Sequence, residues 1–547
     1  MQGNFIQRHI QEDLGEAVHL LRTRFPPEPS GYPHIGHAKS ICINFGLAAL
    51  YGGRCNLRID DTDPTKENMA HYVEALKNAV LWLGFEWDGF FYASDYFEKL
   101  YEYALVLIRK GVAYICELDA EQMREFRGTL TEAGRNSPFR ERPIDENLDL
   151  FARMKAGEFP NGAYTLRAKI DMTSPNMNMR DPVIYRIIHH EHYNAPGWCI
   201  YPTYDYAHPL EDAIEGITHS LCGLEFENNR PLYDWYLDQI GGFSPRPRQI
   251  EFAELHLSNT VLGKRFIRKL IQDGIVDDWD DPRLATISGM SRRGYSAAAV
   301  RNFCDEIGLS KAQSRVDIAM LEHFVREDLN LSAKVIMAVL NPVKLVITNY
   351  PEGQVEWLEI ANNPKNPELG TRQVPFGREI YIEAEDFMIE PAPKYHRLAP
   401  GREVRLAGAY FVKCTDFIAD ESGRVIEIHA TYDPETKSGT GFNARKVKGT
   451  IHWVAAAHAM PICANLYDYL VIDDENAEDG YIFNENSLEI VENALAEPAI
   501  REAKEADRYQ FMRNAFYCLD PKTSTTDKVA FNRIVEIKSS YKPNRPI

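Results

Sequence analysis

The sequence predicts an α/β protein with a doubly wound parallel sheet near its N-terminus and β-barrels in its C-terminal part. Two observations support this fold class. In the N-terminal part, apolar strand segments alternate with helical segments, which is the pattern of parallel sheets. After Pro342, short strand segments alternate with Gly, Pro and Asn turns, which is typical of β-barrels.

The N-terminal alternation places a helix over residues 33–50, a strand over 55–59 and a helix over 67–83. A Pro-Pro-Glu turn follows the strand before the first helix, and Asp60-Asp61 follows the next strand. Ligands of doubly wound sheets bind at the C-terminal ends of the strands. We therefore expect both segments to line a binding site.

Further along the chain, Gly and Pro interrupt polar sequence, which indicates an insertion into the sheet domain. Strand patterns then resume, helices are expected over 296–307 and 311–327, and barrel strands over 343–347 and 379–382. The predicted organisation is a split sheet domain, an insertion, a helical subdomain and a barrel region. The boundaries are 1–95 and 201–255 for the two halves of the sheet domain, 96–200 for the insertion, 256–335 for the helical subdomain and 336–547 for the barrels.

Composition sets further limits on the class of protein. The 547 residues carry a net charge of −19, which by itself argues against a nucleic-acid partner, although short basic clusters occur at 292–293, 394–405 and 445–448. Nine cysteines occur without a Cys-x-x-Cys pair, so we expect a reducing cytoplasm and no metal site. Neither a signal peptide nor an apolar run of about 20 residues is present, so no membrane association is expected.

The segment from Ser30 to His37 predicts a site for an anion. Ser30 can cap a helix and Pro33 suits its first turn. His34 and His37 then lie on one face beside backbone N–H groups without helical partners. Two imidazoles at a helix N-terminus suit a nucleotide phosphate. The alternative is a capped helix in which the two histidines have no function.

His34-Ile35-Gly36-His37 resembles the signature of class I aminoacyl-tRNA synthetases, and the Phe-Pro-Pro-Glu-Pro before it resembles the glutaminyl and eukaryotic-type glutamyl branch. Further segments that resemble this branch follow in the same order, at 58–64, 82–85, 200–205, 216–222, 260–265 and 446–449. The resemblance therefore covers nearly the whole chain.

The resemblance implies a Rossmann catalytic domain split by an acceptor-stem-binding insertion, then a helical subdomain with a lysine loop and two antiparallel β-barrels that bind the anticodon. It implies ATP-dependent ligation of L-glutamine to tRNA(Gln) through a glutaminyl-adenylate, with release of AMP and pyrophosphate. ATP would carry the Mg²⁺ ion that the reaction needs. The expected protein is a cytoplasmic monomer.

For ATP, the resemblance implies that His34 and His37 stabilise the reacting phosphate and that Lys264 is a mobile catalytic lysine. The full ATP-binding set implied is Glu28, Pro29, Ser30, His34, Gly36, His37, Leu262, Gly263 and Lys264. Two positions depart from close relatives, which usually have serine at 263 and arginine where this chain has Glu254. A carboxylate near the triphosphate would repel it.

For the amino acid, the resemblance implies a pocket made by Arg24, Asp60, Tyr204, His208 and Cys222. Asp60 would accept hydrogen bonds from the substrate ammonium group. Tyr204 can both donate and accept, which suits a neutral amide. Glutamyl relatives tend to have arginine at the position of Cys222, so the cysteine favours glutamine.

For tRNA, the resemblance implies six contact positions: Leu130, Asn228, Lys334, Arg397, Gln510 and Arg513. Leu130 matches a wedge that opens the acceptor end, and Asn228 matches a residue facing the acceptor minor groove. The other four match anticodon contacts. An expected anticodon arginine is missing at Val335, and Lys334 is the candidate to replace it.

Three alternatives stay open at this point. The first is a glutamyl-tRNA synthetase of the same branch. The second is a noncatalytic tRNA-binding paralogue, which the residues at 254 and 263 suggest. The third is a metabolic nucleotidylyltransferase, which the long β-rich C-terminal half disfavours.

Overall fold

A computed structural model of the chain describes residues 4–312, 314–525, 528–539 and 541. The chain divides into two compact units. The first comprises Met1–His256 and Cys304–Val316, and the second comprises Leu257–Phe303 and Asp317–Ile547. The finer division into five segments stays a prediction.

Twelve α-helices occur in these residues. Their bounds are α1 Phe5–Leu14, α2 Ile35–Tyr51, α3 Met69–Trp82, α4 Phe97–Arg109, α5 Ala120–Arg127, α6 Ile144–Lys155, α7 Tyr204–Ile214, α8 Arg230–Ile240, α9 Lys264–Gln272, α10 Ile287–Arg293, α11 Ala297–Ile307 and α12 Ile318–Ser332. The predicted helices 33–50, 67–83 and 296–307 correspond to α2, α3 and α11, with ends shifted by one or two residues.

The strands of the first half of the chain are β1 Arg22–Phe25, β2 Arg54–Ile59, β3 Phe90–Tyr92, β4 Ala113–Cys116, β5 Thr165–Ala168, β6 Val183–Ile187, β7 Ile200–Pro202, β8 His219–Gly223, β9 Arg248–Phe252, β10 Leu255–Leu257 and β11 Ser314–Val316. The later strands are β12 Lys334–Ile336, β13 Ala338–Val339, β14 Pro342–Ile347, β15 Glu356–Ala361, β16 Thr371–Phe376, β17 Glu379–Glu383, β18 Glu403–Leu406, β19 Phe411–Ala419, β20 Val425–Asp433, β21 Thr450–Ile451, β22 Val454–Ala455, β23 Met460–Tyr467, β24 Val471–Asp473, β25 Tyr481–Phe483, β26 Leu488–Ala496, β27 Arg508–Phe511, β28 Ala515–Leu519 and β29 Val529–Glu536.

The helix predicted over 311–327 is wrong at its start. α12 begins at Ile318 because the Asp317 carboxylate accepts a hydrogen bond from the backbone N–H of Ala319 at 3.0 Å and so caps the helix. Ser314–Val316 forms β11 instead. The N-terminal boundary of α12 is therefore set by its cap at Asp317, although the helical sequence pattern continues before it.

A parallel sheet forms the core of the first unit. β1, β2 and β3 pair in parallel, as do β8 and β9. The backbone N–H of Thr218, just before β8, donates to the carbonyl of Arg22 at 2.9 Å and so places β8 beside β1. α2 and α3 supply the crossovers that parallel strands require. The turns after β1 and β2 therefore lie at the same edge of the sheet.

The segment that interrupts the alternation forms a separate antiparallel sheet with strand order β4-β5-β6-β7. Its core includes fully buried Phe97, Ile115, Leu166 and Tyr185. Antiparallel strands need only short connections, so this sheet can be inserted between two halves of a parallel one.

Two seven-stranded sheets dominate the second unit, with strand orders β21-β18-β19-β20-β14-β17-β22 and β12-β27-β28-β29-β23-β26-β13. Both are mixed rather than purely antiparallel, because β14 pairs in parallel with β20 and β23 with β29. The long chain segments between these partners permit the crossover that parallel pairing needs. The predicted fold class is otherwise confirmed. In the described part of the chain, no helix has the length and apolar character required to cross a bilayer.

Candidate functional site

The N-terminus of α2 is capped by two histidines. His34 is the N-cap residue, and its Nδ1 accepts a hydrogen bond from the Gly36 N–H at 3.1 Å. His37 Nδ1 accepts from the His34 N–H at 3.2 Å, which completes a capping box. Because both Nδ1 atoms are acceptors, the hydrogen of each neutral ring is on Nε2. The prediction that Ser30 caps this helix is wrong, since its hydroxyl donates to the Glu28 carboxylate at 2.6 Å.

Gly36 is required by the neighbouring imidazole. A Cβ at this position would lie 2.9 Å from Cε1 and 3.0 Å from Nδ1 of His34, closer than packed carbon atoms approach. The capping bond to the Gly36 N–H fixes that ring in place. A side chain here would therefore displace His34 before it met any ligand.

The turn between β1 and α2 is held by its own polar groups. Pro29 is buried, whereas Glu28 is exposed and pairs with Lys66 at 2.9 Å. The backbone N–H of Asp60 donates to the carbonyl of Pro27 at 3.0 Å. The two turns that the sequence placed at strand ends are therefore hydrogen-bonded to each other.

Arg24 lies on β1 and is completely buried. Its guanidinium makes four hydrogen bonds, all within 2.8 Å: to Asp212 Oδ1, the Leu221 carbonyl, His208 Nε2 and Ser220 Oγ. A buried guanidinium is tolerated only with such compensation. The positive charge of Arg24 is therefore balanced inside the protein.

Asp212 on α7 supplies the balancing charge. One oxygen accepts from Arg24 at 2.8 Å and from Arg58 at 2.7 Å, and the other accepts from Ser220 at 2.6 Å and Tyr233 at 3.0 Å. Burial by itself would raise the pKa of Asp212, but the neighbouring cationic groups outweigh it and hold this pKa far below its ordinary value. Asp212 is therefore ionised throughout the neutral pH range.

Three of the other predicted pocket residues, His208, Tyr204 and Cys222, are uncharged. Burial lowers the pKa of His208 to about 3, so the imidazole is neutral. Burial raises the pKa of the Tyr204 phenol and of the Cys222 thiol well above their ordinary values, so both keep their protons. The rings of Tyr204 and His208 stack with centroids 4.9 Å apart, one helical turn apart on α7. Of these three residues, His208 hydrogen-bonds Arg24, and Tyr204 and Cys222 lie close enough to interact with its charge.

Asp60 and Asp61 have different surroundings. The Asp60 carboxylate accepts from Thr62 Oγ1 at 2.9 Å, and burial raises its pKa. Asp61 is fully buried and accepts from the backbone N–H and hydroxyl of Ser94 at 2.8 and 2.6 Å. Asp61 therefore fixes the turn after β2, and Asp60 is the carboxylate at the site edge.

Glu254, the departure noted in the sequence, interacts with a second carboxyl group. Its side chain hydrogen-bonds Glu225, and burial together with this bond raises the pKa of Glu225 to about 7. Glu225 folds over Gly223, where an added Cβ would lie 2.2 Å from its Oε2. The bond between the two side chains therefore stabilises the protonated form of Glu225, close to the C-terminal end of β8.

The lysine loop precedes α9 in the second unit. Lys264 is the first residue of α9, Leu262 is half-buried before it, and Gly263 is an N-cap residue without a side chain. In the loop before them, Asn259 and Asp473 exchange two hydrogen bonds of 3.0 and 2.9 Å between backbone N–H and side chain. The loop is therefore anchored to β24.

Leu130 is 81% exposed at the tip of the loop that follows α5. Asn228 is also exposed, and its carbonyl accepts from Asn176 Nδ2 at 2.7 Å. Both residues present side chains that no core packing requires.

Arg397 and Arg513 line one cavity of about 860 Å³ in the second unit. Arg513 binds the buried carboxylate of Asp386 with both terminal nitrogens, at 2.6 and 2.8 Å, and Arg397 lies 3.0 Å from the same carboxylate. Arg513 has φ = +67°, a left-handed conformation that non-glycine residues rarely adopt. The Asp386 carboxylate therefore holds Arg397 and Arg513, which come from distant segments of the chain, at the same cavity.

Lys334 and Gln510 lie on neighbouring parallel strands. β12 pairs with β27 so that Val335 faces Gln510 and Lys334 faces Tyr509. Because side chains alternate along a strand, Gln510 shares its face with Val335 and not with Lys334. Neither of the two residues lines the cavity around Asp386.

Known proteins match this chain over its length. Residues 20–331 match the family model of the class I tRNA synthetases (E and Q), catalytic domain. The chain belongs to this family. Residues 333–433 and 450–520 match the two anticodon-binding domains of the same synthetases. The family predicted from the motifs is confirmed.

Relatives of this synthetase match it from end to end. The glutamine–tRNA ligase of Clostridioides difficile (strain 630) is 58% identical, with 99% of each chain covered. That of Clostridium perfringens is 57% identical over 98% of each chain. The ligase of Pseudomonas putida is 51% identical over 98% of this chain and 96% of its own.

The sequence missed several residues that organise the synthetase site. Asp212 has a detectable signal, since it follows His208 by four positions on one face of α7. Asp386 and Glu225 have none, because each is defined by a partner from another segment. In the described residues, no group of three or more His, Cys, Asp or Glu side chains is arranged to hold a metal ion.

Proposed function

We propose that this synthetase ligates L-glutamine to tRNA(Gln) in two steps, through a glutaminyl-adenylate. The observation that carries the proposal is the pair of uncharged side chains, Tyr204 and His208, beside the charge-balanced Arg24, in a chain that resembles glutamine–tRNA ligases from end to end. All nine cysteines are free thiols, as expected for a cytoplasmic protein. We expect it to act there as a monomer.

ATP activation depends on positioning and electrostatic stabilisation. His34 and His37, whose caps place the ring hydrogens on Nε2, donate to phosphate oxygens beside the N-terminus of α2. Glu28, Pro29 and Ser30 form the turn beside this helix, and Gly36 leaves room for the His34 ring. Lys264 of the lysine loop stabilises the leaving pyrophosphate. Mg²⁺ arrives with ATP and neutralises part of the phosphate charge.

Glutamine is held at both of its ends. Asp60 accepts hydrogen bonds from the α-ammonium group, at the edge of the sheet where the two turns meet. Tyr204 and Arg24 contact the side-chain amide, one as a neutral phenol and the other as a charge-balanced donor. The α-carboxylate is then directed towards the α-phosphate of ATP.

The same pocket disfavours glutamate. A carboxylate that enters must lose its hydration, and this cost is repaid only by a cation that is not already balanced. Arg24 is balanced by Asp212, and His208 and Cys222 are neutral. An amide loses less hydration and finds hydrogen-bond partners, so glutamine is preferred.

The tRNA contacts occupy separate surfaces. Leu130 meets the end of the acceptor stem, and Asn228 offers an amide oxygen to a guanine amino group in the minor groove. Arg397 and Arg513 bind unstacked anticodon bases in the cavity around Asp386. Gln510 and Lys334 extend the anticodon surface on two faces of the β12–β27 pair.

The test is aminoacylation of purified tRNA(Gln) with radiolabelled glutamine or glutamate. We expect kcat/KM to favour glutamine by at least about a hundredfold, because glutamate leaves its charge unpaired in the pocket. Preferential charging with glutamate would instead identify a glutamyl-tRNA synthetase.

Cys222→Arg sharpens this test. Cys222 faces Glu251 across the β8–β9 pair, and Glu251 is buried with one oxygen that lacks a hydrogen-bond partner in the described residues. An arginine at 222 therefore has a carboxylate to balance part of its charge, and it places a cation beside the substrate. We expect the preference for glutamine to fall by about tenfold or more.

A noncatalytic tRNA-binding protein is the second candidate, favoured by the carboxyl pair of Glu225 and Glu254 and by the missing cap at Gly263. ATP–pyrophosphate exchange in the presence of tRNA(Gln) distinguishes the two. Exchange supports the ligase, and binding of tRNA without exchange supports the noncatalytic protein.

A further inference from the structure

The loop of residues 128–134, here the Leu130 loop, is ordered without packing of its own. Residues 129–133 are all exposed. Exposed loops with few apolar contacts are ordinarily the least stable parts of a protein. The order of this loop must therefore come from hydrogen bonds to its backbone.

Arg180 supplies these hydrogen bonds from beneath the loop. Its Nη1 donates to the carbonyls of Arg127, Thr129 and Glu132 at 2.9, 2.8 and 2.9 Å. Its Nε donates to the carbonyl of Ser174 at 2.7 Å. Arg180 itself is only 3% exposed, so these bonds are shielded from water. One buried guanidinium thus holds the backbone at three positions, just before the loop at Arg127 and within it at Thr129 and Glu132.

The two glycines of the loop show how closely it fits. Gly128 has φ = +74°, and a Cβ there would lie 2.7 Å from the carbonyl oxygen of Glu132. A Cβ on Gly134 would lie 2.7 Å from the carbonyl oxygen of Met172. The backbone at both glycines therefore approaches neighbouring carbonyl groups too closely for a side chain. The hydrogen bonds from Arg180 stabilise this conformation of the loop.

We propose that Arg180 is a positioning residue for tRNA. By holding the carbonyl groups of Thr129 and Glu132 in the Leu130 loop, and that of Arg127 just before it, Arg180 fixes the exposed leucine where the end of the acceptor stem meets it. This inference rests on the proposed function, in which Leu130 contacts the acceptor end. Arg180 touches no substrate, and its effect is transmitted through Leu130.

The test compares Arg180→Lys, Leu130→Ala and the double variant in aminoacylation. A lysine has a single nitrogen and cannot reach three carbonyls and Ser174 together. We expect Arg180→Lys to raise KM for tRNA by about tenfold, with KM for glutamine unchanged, because a displaced wedge no longer meets the acceptor end. If Arg180 acts through Leu130, the double variant behaves as Leu130→Ala does.

Arg142→Lys is the matched control. Arg142 is a largely buried arginine of the same region whose Nη1 donates to the carbonyl of Ile115 at 3.0 Å and to no carbonyl of the Leu130 loop. We expect it to leave KM for tRNA unchanged. Two results would overturn the proposal. One is that Arg180→Lys leaves KM for tRNA unchanged, and the other is that Arg180→Lys raises this KM by the same factor in the Leu130→Ala background as in the wild type.

Limited trypsin digestion gives a readout that is independent of charging. Loosening of the loop exposes the peptide bond after Arg127, so Arg180→Lys should be cut there faster than the wild type and the control. If Arg180→Lys does not fold, Thr129→Ala replaces it, because the Thr129 hydroxyl accepts from the N–H of Glu132 at 3.1 Å within the exposed loop. Failure of the wild type to charge tRNA would refute the proposed function, whereas unchanged cleavage at Arg127 would refute the role of Arg180.

Discussion

In the described part of the chain, each unit contains a buried aspartate that binds two arginines: Asp212 in the first unit and Asp386 in the second. The two arginines on Asp212 are completely buried. The side chains of the two arginines on Asp386 are 44% and 27% exposed. The same ion-pair chemistry therefore produces buried, charge-balanced guanidinium groups in one unit and guanidinium groups that stay partly open to solvent in the other.

The difference agrees with the ligands that we propose for the two regions. A small uncharged amide is selected by groups whose charges are already balanced, because an unbalanced cation would attract a carboxylate instead. Single-stranded RNA is bound by guanidinium groups that keep donors towards solvent. Whether an arginine helps to shape a pocket for an amide or binds RNA therefore depends on how deeply its guanidinium group is buried.

The largest effect is expected from Asp212→Ala. Removal of this carboxylate leaves two arginines buried without their balancing charge, so we expect a loss of about 3–5 kcal/mol in the free energy of unfolding, measured with urea. Asp238→Ala is the control, since Asp238 pairs with the half-exposed Arg246 at 2.9 Å and should contribute less than about 1 kcal/mol. A similar loss in both variants would contradict the comparison.

Asp386→Asn should affect RNA binding more than stability. Its arginines can turn to solvent, so we expect the free energy of unfolding to fall by about 1–2 kcal/mol. With both guanidinium groups released, KM for tRNA should rise by about tenfold while KM for glutamine is unchanged.

Asp433→Asn is the control for this variant, because Asp433 pairs with Arg445 at 2.8 Å outside the cavity. An equal change of KM for tRNA in both variants would show that Asp386 has no special role in the anticodon surface.

The pH dependence of stability tests a carboxyl pair of the first unit that has no arginine. Glu225 has a pKa raised to about 7 by burial and by its bond to Glu254. A raised pKa means that the folded state binds the proton more tightly, so its stabilisation is complete below the ordinary pKa and is lost as pH rises through about 7. The free energy of unfolding should therefore decline between about pH 4.5 and about 7 and level off above that, measured by urea unfolding at each pH. Glu225→Gln should remove this decline, and an unchanged slope would show that the raised pKa of Glu225 does not cause it.

The smallest effect is expected at the start of α9. Two histidines cap α2 in the first unit, whereas Gly263 leaves α9 in the second unit without a side-chain cap. Gly263→Ser adds a hydroxyl that can accept from the first turn, so we expect a gain of a few tenths of a kcal/mol in the free energy of unfolding. Thermal unfolding monitored by circular dichroism measures it, and a lower midpoint would show that the serine does not cap α9.

Much of the fold and part of the site could be predicted from sequence because the evidence is local. Capping residues, strand alternation and the turns at strand ends each involve a few neighbouring residues, and these located α2, β2 and the Asp60 turn. The same local logic failed at α12, where the preceding Asp317 determined the start of the helix. Ser30 was assigned as a cap for a similar reason, although His34 competes with it.

The sequence by itself determined the family of this protein, its parallel sheet, its β-rich second half and most of the candidate residues. Only the tertiary structure decided how the charge of Arg24 is balanced and how Asp386 orients Arg397 and Arg513. The physical reason is distance along the chain: Arg24 and Asp212 are 188 positions apart, and Arg513 and Asp386 are 127 apart. Ion pairs of this kind exist only once packing has brought their partners together and excluded water.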